Sequence, residues 1–263
     1  MTKLVVTDVD STLVPDGASQ LNPEYYFIIE RLREKGITFA VASGRHSSSI
    51  KKLFHPVLDQ IWVASQNGNV IETNKSTKIL QSIPFEWIVE FLEDLSKYTH
   101  AEYILDTAHH SFCPYANTDM YHILKDDYKY DLSIIGEWLN IPKETYSLLT
   151  IYHPNAEKLL QEPFLRDKWQ KRMTLTLSGK IWIICSMPDV SKGNALKYIC
   201  NQLDISPKES IAFGDNYNDI PMIQAAGTGY AVDNGRPETQ SAADKVISGF
   251  HSEGVLKELK KLL

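Results

Sequence analysis

The sequence has few cysteines, no long apolar run and no excess of positive charge. Its three cysteines, Cys113, Cys185 and Cys200, lie far apart without a CxxC pair, which argues against a disulfide framework and indicates a reducing compartment. No apolar run is long enough to span a bilayer, and no signal-peptide pattern precedes the first predicted strand. We therefore expect a cytoplasmic protein with no membrane partner. The net charge of −6 disfavours a nucleic-acid partner.

Three common binding motifs are also missing. No GxxxxGK[ST] sequence occurs, which excludes a P-loop. Gly227-Thr228-Gly229 follows a predicted helix and precedes a predicted strand, so it is not a dinucleotide fingerprint. An EF-hand loop starting at Asp8 would need Gly and Glu where Leu13 and Ser19 stand. The length of 263 residues allows one large domain or two modest ones.

The most informative stretch lies near the N-terminus. Leu4-Val5-Val6 is a short apolar run, typical of a buried strand in a parallel sheet. Asp8 and Asp10 follow it, and they mark its carboxyl end because Asp is depleted within strands. Open α/β sheets bind ligands at that end, and two neighbouring acids need a cation such as Mg²⁺ or lysine beside them. Residues 8–12 also fit Asx turns or a helix N-cap. These five residues alone therefore do not decide between a ligand-binding site and a turn or cap.

Strand and helix patterns alternate in both end regions of the chain. Residues 37–42 and 61–64 near the start, and 210–213 near the end, read as buried strands separated by helices. This rhythm predicts an α/β fold with a doubly wound parallel sheet. The middle differs, because a helical stripe from Pro84 is followed by strands and by a hairpin signal at Ser178-Gly179. It predicts an inserted α+β module with antiparallel character.

Polar residues of complementary chemistry follow the predicted strands and one helix start. Ser43-Gly44 can cradle phosphate oxygens through its hydroxyl and the following backbone N–H groups. Lys192, near a predicted helix start, supplies a point charge for the same oxygens. The carboxylates of Asp215 and Asp219 can hold a divalent cation, and Asn218 lies between them in the sequence. We expect all of them at one edge of the sheet.

These segments resemble the four motifs of the haloacid dehalogenase-like superfamily. The matching segments are Asp8-Val9-Asp10-Ser11-Thr12, Ser43-Gly44-Arg45, Ser191-Lys192-Gly193 and Gly214-Asp215-Asn216-Tyr217-Asn218-Asp219. The long insert between the second and third motifs resembles the Cof-type subfamily with a C2B cap. The resemblance implies a Rossmann-like catalytic core at 1–82 and 188–263, and an α+β cap at 83–187. Ser11 stands where the motif usually has Gly.

The resemblance also implies a role for each matching residue. Asp8 would be the nucleophile and Asp10 the general acid and base. The implied catalytic residues are Asp8, Asp10, Ser43 and Lys192. The implied substrate-binding residues are Ser43, Gly44, Arg45, Lys192 and Asn218. The implied ligands of Mg²⁺ are Asp8, Asp10 (through its main-chain carbonyl), Asp215 and Asp219. Arg45 stays open between a surface residue and a substrate contact.

The predicted function is that of a magnesium-dependent phosphatase, a phosphoric monoester hydrolase, acting on a small phosphorylated metabolite. Sugar phosphates are the first expectation for that partner, and the oligomeric state is expected to be a monomer or a weak homodimer. One alternative is a phosphomutase or a dedicated sugar-phosphate phosphatase of the same superfamily. The alternative of another class is a regulator that binds phosphate or metal without turnover, motivated by Ser11. His109-His110 could form a metal-binding site, but we interpret the pair as structural or exposed.

Overall fold

The structure is a computed structural model that describes residues 1–127, 130–178 and 180–263. The chain divides into two compact units. The core unit consists of residues 1–78 and 190–263, and the inserted unit of residues 79–189. The interpretation of the insert as a C2B cap, with boundaries at 83 and 187, stays a prediction.

The core unit is built on one mostly parallel sheet. Numbered along the whole chain, its strands are β1 (Leu4–Thr7), β2 (Thr38–Ala42), β3 (Ile61–Ser65), β4 (Val70–Glu72), β5 (Thr77–Ile79), β12 (Ser210–Gly214), β13 (Thr228–Val232) and β14 (Lys245–Ile247). Their order is β14-β13-β12-β1-β2-β3-β4-β5. The six strands from β14 to β3 are parallel, whereas β4 runs antiparallel to β3. The predicted parallel sheet is therefore confirmed.

Helices cover this sheet. They are α1 (Glu24–Glu34), α2 (Ser47–Leu53), α6 (Lys192–Gln202), α7 (Ile220–Ala225), α8 (Pro237–Ala242) and α9 (Gly254–Lys260). Leu4, Val5 and Val6 all have an exposed fraction of 0%. Because neighbouring side chains of a strand point to opposite faces, both faces of β1 are covered. This double burial explains why β1 reads as a continuous apolar run rather than an alternating one.

The inserted unit has a second, mostly antiparallel sheet. Its strands are β6 (Glu102–Asp106), β7 (Ser111–Cys113), β8 (Leu132–Ile134), β9 (Leu148–Tyr152), β10 (Thr174–Ser178) and β11 (Trp182–Ser186). They lie in the order β10-β11-β9-β6-β7-β8, in which β7 and β8 pair in parallel and the other pairs are antiparallel. The predicted hairpin strands are present as β10 and β11, while Gly179 lies outside the described residues.

Among the described residues of this unit, the α-helices are α3 (Phe85–Leu95), α4 (Asp119–His122) and α5 (Ala156–Leu160). The predicted apolar stripe of α3 is buried through Ile88, Phe91, Leu92 and Leu95. Residues 109–130 show no period in the sequence because their elements, β7, α4 and a π-helical turn at Ile123–Asp127, have only three to five residues each.

The cysteines Cys113, Cys185 and Cys200 are all free and buried. None of the helices in the described ranges combines the length and apolar character that crossing a membrane requires.

Candidate active site

Three of the predicted site segments begin where three adjacent parallel strands end. Asp215 follows β12, Asp8 follows β1 and Ser43 follows β2, and these strands are neighbours in the sheet. Parallel strands place their carboxyl ends on one edge, so the three segments meet there. Residues more than 200 positions apart thus come into contact, as in the 3.2 Å hydrogen bond from Thr12 Oγ1 to Asp215 Oδ1.

Asp8 is held by contacts to both of its carboxylate oxygens. Lys192 Nζ lies 2.5 Å from Asp8 Oδ1, and Thr12 Oγ1 lies 3.3 Å from Asp8 Oδ2. Only 4% of Asp8 is exposed. The same Thr12 hydroxyl also contacts Asp215, so it joins the first and the last strand-end segments. Thr12 belongs to the Asp8–Thr12 pentad, but no role of its own was predicted for it.

Lys192 is the first residue of α6, whose N-cap Ser191 accepts a hydrogen bond from Asn194 N. Its Nζ lies between two carboxylates, at 2.5 Å from Asp8 Oδ1 and 2.6 Å from Asp219 Oδ1. Burial alone would lower the pKa of Lys192, but the two carboxylates outweigh it and raise that pKa above its usual value. The ammonium group therefore stays charged in a buried site.

Asp219 uses its other oxygen to close the loop after β12. Its Oδ2 accepts hydrogen bonds from Asp215 N at 2.9 Å and Asn216 N at 3.0 Å. A Cβ on Gly214 would collide with the Asp219 side chain, so this approach needs glycine at the end of β12. Both carboxylate oxygens of Asp219 thus have donors within the protein.

Asp8, Asp215 and Asp219 form an acidic cluster that includes one ligand atom of each residue, all within 4.8 Å of one another. Burial, and then the neighbouring carboxylates, raise the pKa of Asp8 well above its usual value, although Lys192 opposes this. The same causes raise the pKa of Asp215 to about 6. One lysine therefore does not offset the buried negative charge of this cluster.

The cluster fits a hard divalent cation. Carboxylate oxygens are the ligands that Mg²⁺ prefers, and a second positive charge would favour the ionised form of the acids. His109 and His110 are exposed, which fits their interpretation as structural or exposed residues.

Asp10 makes a different contact from Asp8. Arg45 grips its carboxylate with two nitrogens, Nε at 2.8 Å from Oδ2 and Nη2 at 2.5 Å from Oδ1. Arg45 is only 7% exposed, so the reading of it as a surface residue is wrong. This ion pair was not predicted from the sequence, because its partners lie 35 positions apart and meet only through the neighbouring strands β1 and β2. A contact of Arg45 with substrate stays a prediction.

Ser43 and Gly44 form the turn after β2. Ser43 has an exposed fraction of 0%, and its Oγ accepts a hydrogen bond from Arg45 N at 3.1 Å. Gly44 is exposed, and Asn67 Oδ1 lies 3.3 Å from the position that a Cβ on Gly44 would take. The turn therefore has one buried hydroxyl and one exposed backbone segment.

Asn218 lies exposed in the loop after β12. Its Nδ2 donates a hydrogen bond of 2.9 Å to Asn67 Oδ1, across 151 positions of the chain. The structure thus brings together Asp8, Lys192, Asp215 and Asp219 by direct contacts or as one cluster, and it links Asp10 with Arg45 and Asn218 with Asn67.

Comparisons with known proteins agree with this architecture. The family model of haloacid dehalogenase-like hydrolases matches residues 5–259. Phosphatase YwpJ of Bacillus subtilis is 26% identical over 99% of this chain and 100% of its own length. The 5-amino-6-(5-phospho-D-ribitylamino)uracil phosphatase YbjI of Escherichia coli is 23% identical, over 99% of this chain and 96% of its own length.

A solved structure gives the same result for the fold. The crystal structure of a protein from Eubacterium rectale superposes with a TM-score of 0.91 and 33% identity, over 100% of this chain and 99% of that one. The predictions of family, of a Rossmann-like α/β core with an insert, and of an enzyme of the phosphatase type are confirmed by these matches. The chain belongs to the haloacid dehalogenase-like hydrolase family.

Proposed function

We propose that the protein is a magnesium-dependent phosphatase that hydrolyses small phosphorylated metabolites through a phosphorylated Asp8. The observation that carries this proposal is the buried Asp8 carboxylate, held 2.5 Å from Lys192 beside Asp215 and Asp219 at the carboxyl edge of the sheet. A carboxylate fixed between a lysine and further acids is suited to nucleophilic attack on phosphorus.

The reaction would proceed in two steps at Asp8. First, an Asp8 oxygen forms a bond to phosphorus while the bond from phosphorus to the leaving oxygen breaks, and Asp10 gives a proton to that oxygen. Then Asp10 takes a proton from water, whose oxygen bonds to phosphorus while the bond to Asp8 breaks. The products are an alcohol and inorganic phosphate, and Asp8 is regenerated.

The donor set of the site fits Mg²⁺. Asp8 and Asp215 would bind the ion through side-chain oxygens and Asp10 through its main-chain carbonyl, as the family resemblance implies. When bound, the ion supplies positive charge between the anionic nucleophile and the anionic substrate. Asp219 was predicted as a fourth ligand, but we propose that it positions Lys192, because its Oδ1 lies 2.6 Å from Lys192 Nζ and its Oδ2 is fixed by two backbone N–H groups.

The remaining residues would bind the phosphoryl group. Lys192 offers a permanent positive charge, and Ser43, the Gly44 backbone and Asn218 offer hydrogen-bond donors. Arg45 holds both oxygens of the Asp10 carboxylate in this structure, so Asp10 must free one of them before it can carry the proton of the first step.

Sugar phosphates are the proposed first class of substrate. The names of the relatives support small phosphorylated molecules, since YbjI is named for a substrate with a phosphorylated ribityl chain. The cytoplasmic location, the monomer or weak homodimer, and the absence of nucleic-acid and membrane partners remain predictions from the sequence.

The proposal is tested with a chromogenic phosphate ester, p-nitrophenyl phosphate, with added magnesium and after removal of metal by EDTA. We expect hydrolysis that depends on magnesium and returns when magnesium is restored. No hydrolysis in magnesium would favour the regulator. A screen of pure phosphorylated metabolites then identifies the substrate, and isomerisation of a hexose phosphate without phosphate release would favour the mutase.

A further inference from the structure

The turn Gln66–Gly68 has an unusual backbone. Gln66, Asn67 and Gly68 have φ angles of 53°, 56° and 89°, so three consecutive residues lie in the left-handed region. Residues other than glycine pay free energy to adopt this region, and such conformations persist only where the surrounding structure holds them. The contacts of this turn therefore indicate which segments of the site it supports.

The turn is bound to the segment after β2 by two backbone hydrogen bonds. Gln66 N donates to the Arg45 carbonyl at 3.0 Å, and Asn67 N donates to the Ser43 carbonyl at 2.9 Å. Both acceptors belong to the segment predicted to bind phosphate. The turn is therefore fixed relative to the phosphate-binding hydroxyl of Ser43.

The same turn packs against the start of α6. A Cβ on Gly68 would lie 2.8 Å from both the Ser191 carbonyl and Ala195 Cβ, closer than real contacts allow. Glycine is therefore needed here for the approach as well as for its φ of 89°. Since Ser191 precedes Lys192, the turn is also fixed relative to the lysine.

The side chain of Asn67 points to a third site segment. Its Oδ1 accepts the 2.9 Å hydrogen bond from Asn218 Nδ2, while the Asn67 backbone is held as described. An amide nitrogen carries two hydrogens, so Asn218 keeps a second one for another acceptor. Asn67 thus restrains an otherwise exposed side chain without using up its ability to donate.

We propose that Asn67 is a positioning residue for phosphate binding: it holds the Asn218 amide so that its second N–H meets a phosphate oxygen. This rests on the proposed function, in which Asn218 binds the phosphoryl group. Asn67 acts only through Asn218 and not on the reacting atoms. The left-handed backbone of Asn67 places its side-chain oxygen against Asn218 Nδ2.

The test measures inhibition of p-nitrophenyl phosphate hydrolysis by inorganic phosphate in the Asn67→Gly variant. Glycine removes the amide and suits the φ of 56°. We expect the inhibition constant to rise about 3- to 10-fold, as for loss of one hydrogen bond. We expect kcat/KM for the ester to fall by a similar factor, and the melting temperature to stay equal or rise. An unchanged inhibition constant overturns the proposal.

A double-mutant cycle separates positioning from a direct contact. If Asn67 acts only through Asn218, adding Asn67→Gly to Asn218→Ala produces no further rise in the inhibition constant. The proposal is overturned if the double variant raises the inhibition constant by the product of the two separate increases. Asn67 would then bind phosphate independently or act on the fold.

Asp204→Gly is the matched control. Asp204 is an exposed core-unit residue with φ of 53°, just after the far end of α6 from Lys192. This variant makes the same backbone change and is expected to leave phosphate inhibition unchanged. A rise equal to that of Asn67→Gly would assign the effect to backbone flexibility and overturn the proposal. Wild-type protein that neither hydrolyses the ester nor binds phosphate would contradict the proposed function itself.

Discussion

The two units of this protein each contain a lysine held between two carboxylates, with opposite consequences. In the core unit, Lys192 pairs with Asp8 and Asp219, and 1% of its side chain is exposed. In the inserted unit, Lys168 pairs with Glu90 at 2.7 Å and Asp94 at 2.6 Å, and 34% of its side chain is exposed. The ion-pair distances are nearly the same, so burial is what distinguishes the two.

Burial changes the direction in which the acids are shifted. In the buried cluster, desolvation and the neighbouring carboxylates raise the pKa of Asp8 despite Lys192. In the open cluster, hydrogen bonds from Lys168 and Arg172 lower the pKa of Glu90. For Asp94, burial would raise the pKa, but hydrogen bonds led by that of Lys168 lower it. The open cluster is satisfied by its own cations, whereas the buried one retains excess negative charge.

The surroundings of the open cluster indicate a structural role. Trp169 Nε1 donates to Asp94 at 3.1 Å, and the Arg172 guanidinium lies 5.1 Å from the Trp169 ring centre. Trp169 has an exposed fraction of 0%, so these contacts cover a packed core. Charge that is fully paired supports packing, and charge that is left over offers a site for a cation.

The largest effect is expected for Asp8→Asn, compared with Asp94→Asn. Loss of the nucleophile should lower kcat for p-nitrophenyl phosphate by at least about 10,000-fold. Asp94→Asn should change kcat less than about 2-fold, because its carboxylate serves packing. Steady-state kinetics with saturating magnesium measure both. Substantial turnover by Asp8→Asn would break the distinction between the clusters.

The second effect compares the stability of Lys192→Met and Lys168→Met. Lys192→Met leaves buried carboxylates without their cation and should lower the free energy of unfolding by about 3–5 kcal/mol in metal-free protein. Lys168→Met should cost less than about 1 kcal/mol, since its partners are open to water and Arg172 remains near Glu90. Urea unfolding of both variants gives the values. Equal losses would show that burial does not separate the two lysines.

The third effect concerns magnesium and pH in the core-unit cluster. Burial, and then the neighbouring Asp219, raise the pKa of Asp215 to about 6 in the folded metal-free protein. The stability that this raised pKa contributes is fully present below about pH 4 and is lost as the pH rises through about 6. Asp215→Asn should therefore raise the melting temperature of metal-free protein at about pH 8 and have little effect at about pH 4.

Magnesium should act in the reverse sense. It should raise the melting temperature of wild type more at about pH 8 than at about pH 5, because its ligands must lose their protons. Asp215→Asn should abolish this rise, whereas the exposed-site control Asp204→Asn should keep it. Thermal unfolding with and without magnesium checks this, and an undiminished rise in Asp215→Asn would remove Asp215 from the metal site.

The smallest effect is expected for Ser11→Gly. Ser11 has φ of 58° between Asp10 and Thr12, and its carbonyl accepts a 2.7 Å hydrogen bond from Asn234 Nδ2. Glycine should relieve the left-handed strain and stabilise the fold by up to about 1 kcal/mol, with kcat unchanged or slightly higher. Chemical unfolding measures the gain. A marked loss of activity would mean that the Ser11 side chain has a role of its own.

The sequence predicted the strand ends well because each carries local signals. A buried apolar run followed by Asp8, or by Ser43, identifies both the strand and its ligand-binding end. Parallel pairing then implies that these ends meet, and the family resemblance adds the expected roles. The fold class follows from the same rhythm of strands and helices.

The partners of Arg45 and Asn67 could not be predicted in this way. Arg45 meets Asp10 across two adjacent strands, and Asn67 meets Asn218 across 151 positions. Neither contact leaves a periodic pattern or a fixed spacing. Both depend on backbone turns, such as the left-handed Gln66–Gly68 turn, whose side-chain directions are set by tertiary packing.

Whether Asp8 becomes phosphorylated decides the proposed mechanism. Wild-type protein is mixed with radiolabelled acetyl phosphate and magnesium, quenched in acid within one turnover, and digested for mass spectrometry. We expect a hydroxylamine-sensitive phosphoryl group on the peptide that contains Asp8, and none in Asp8→Asn. Release of phosphate without any label on Asp8 would contradict this mechanism.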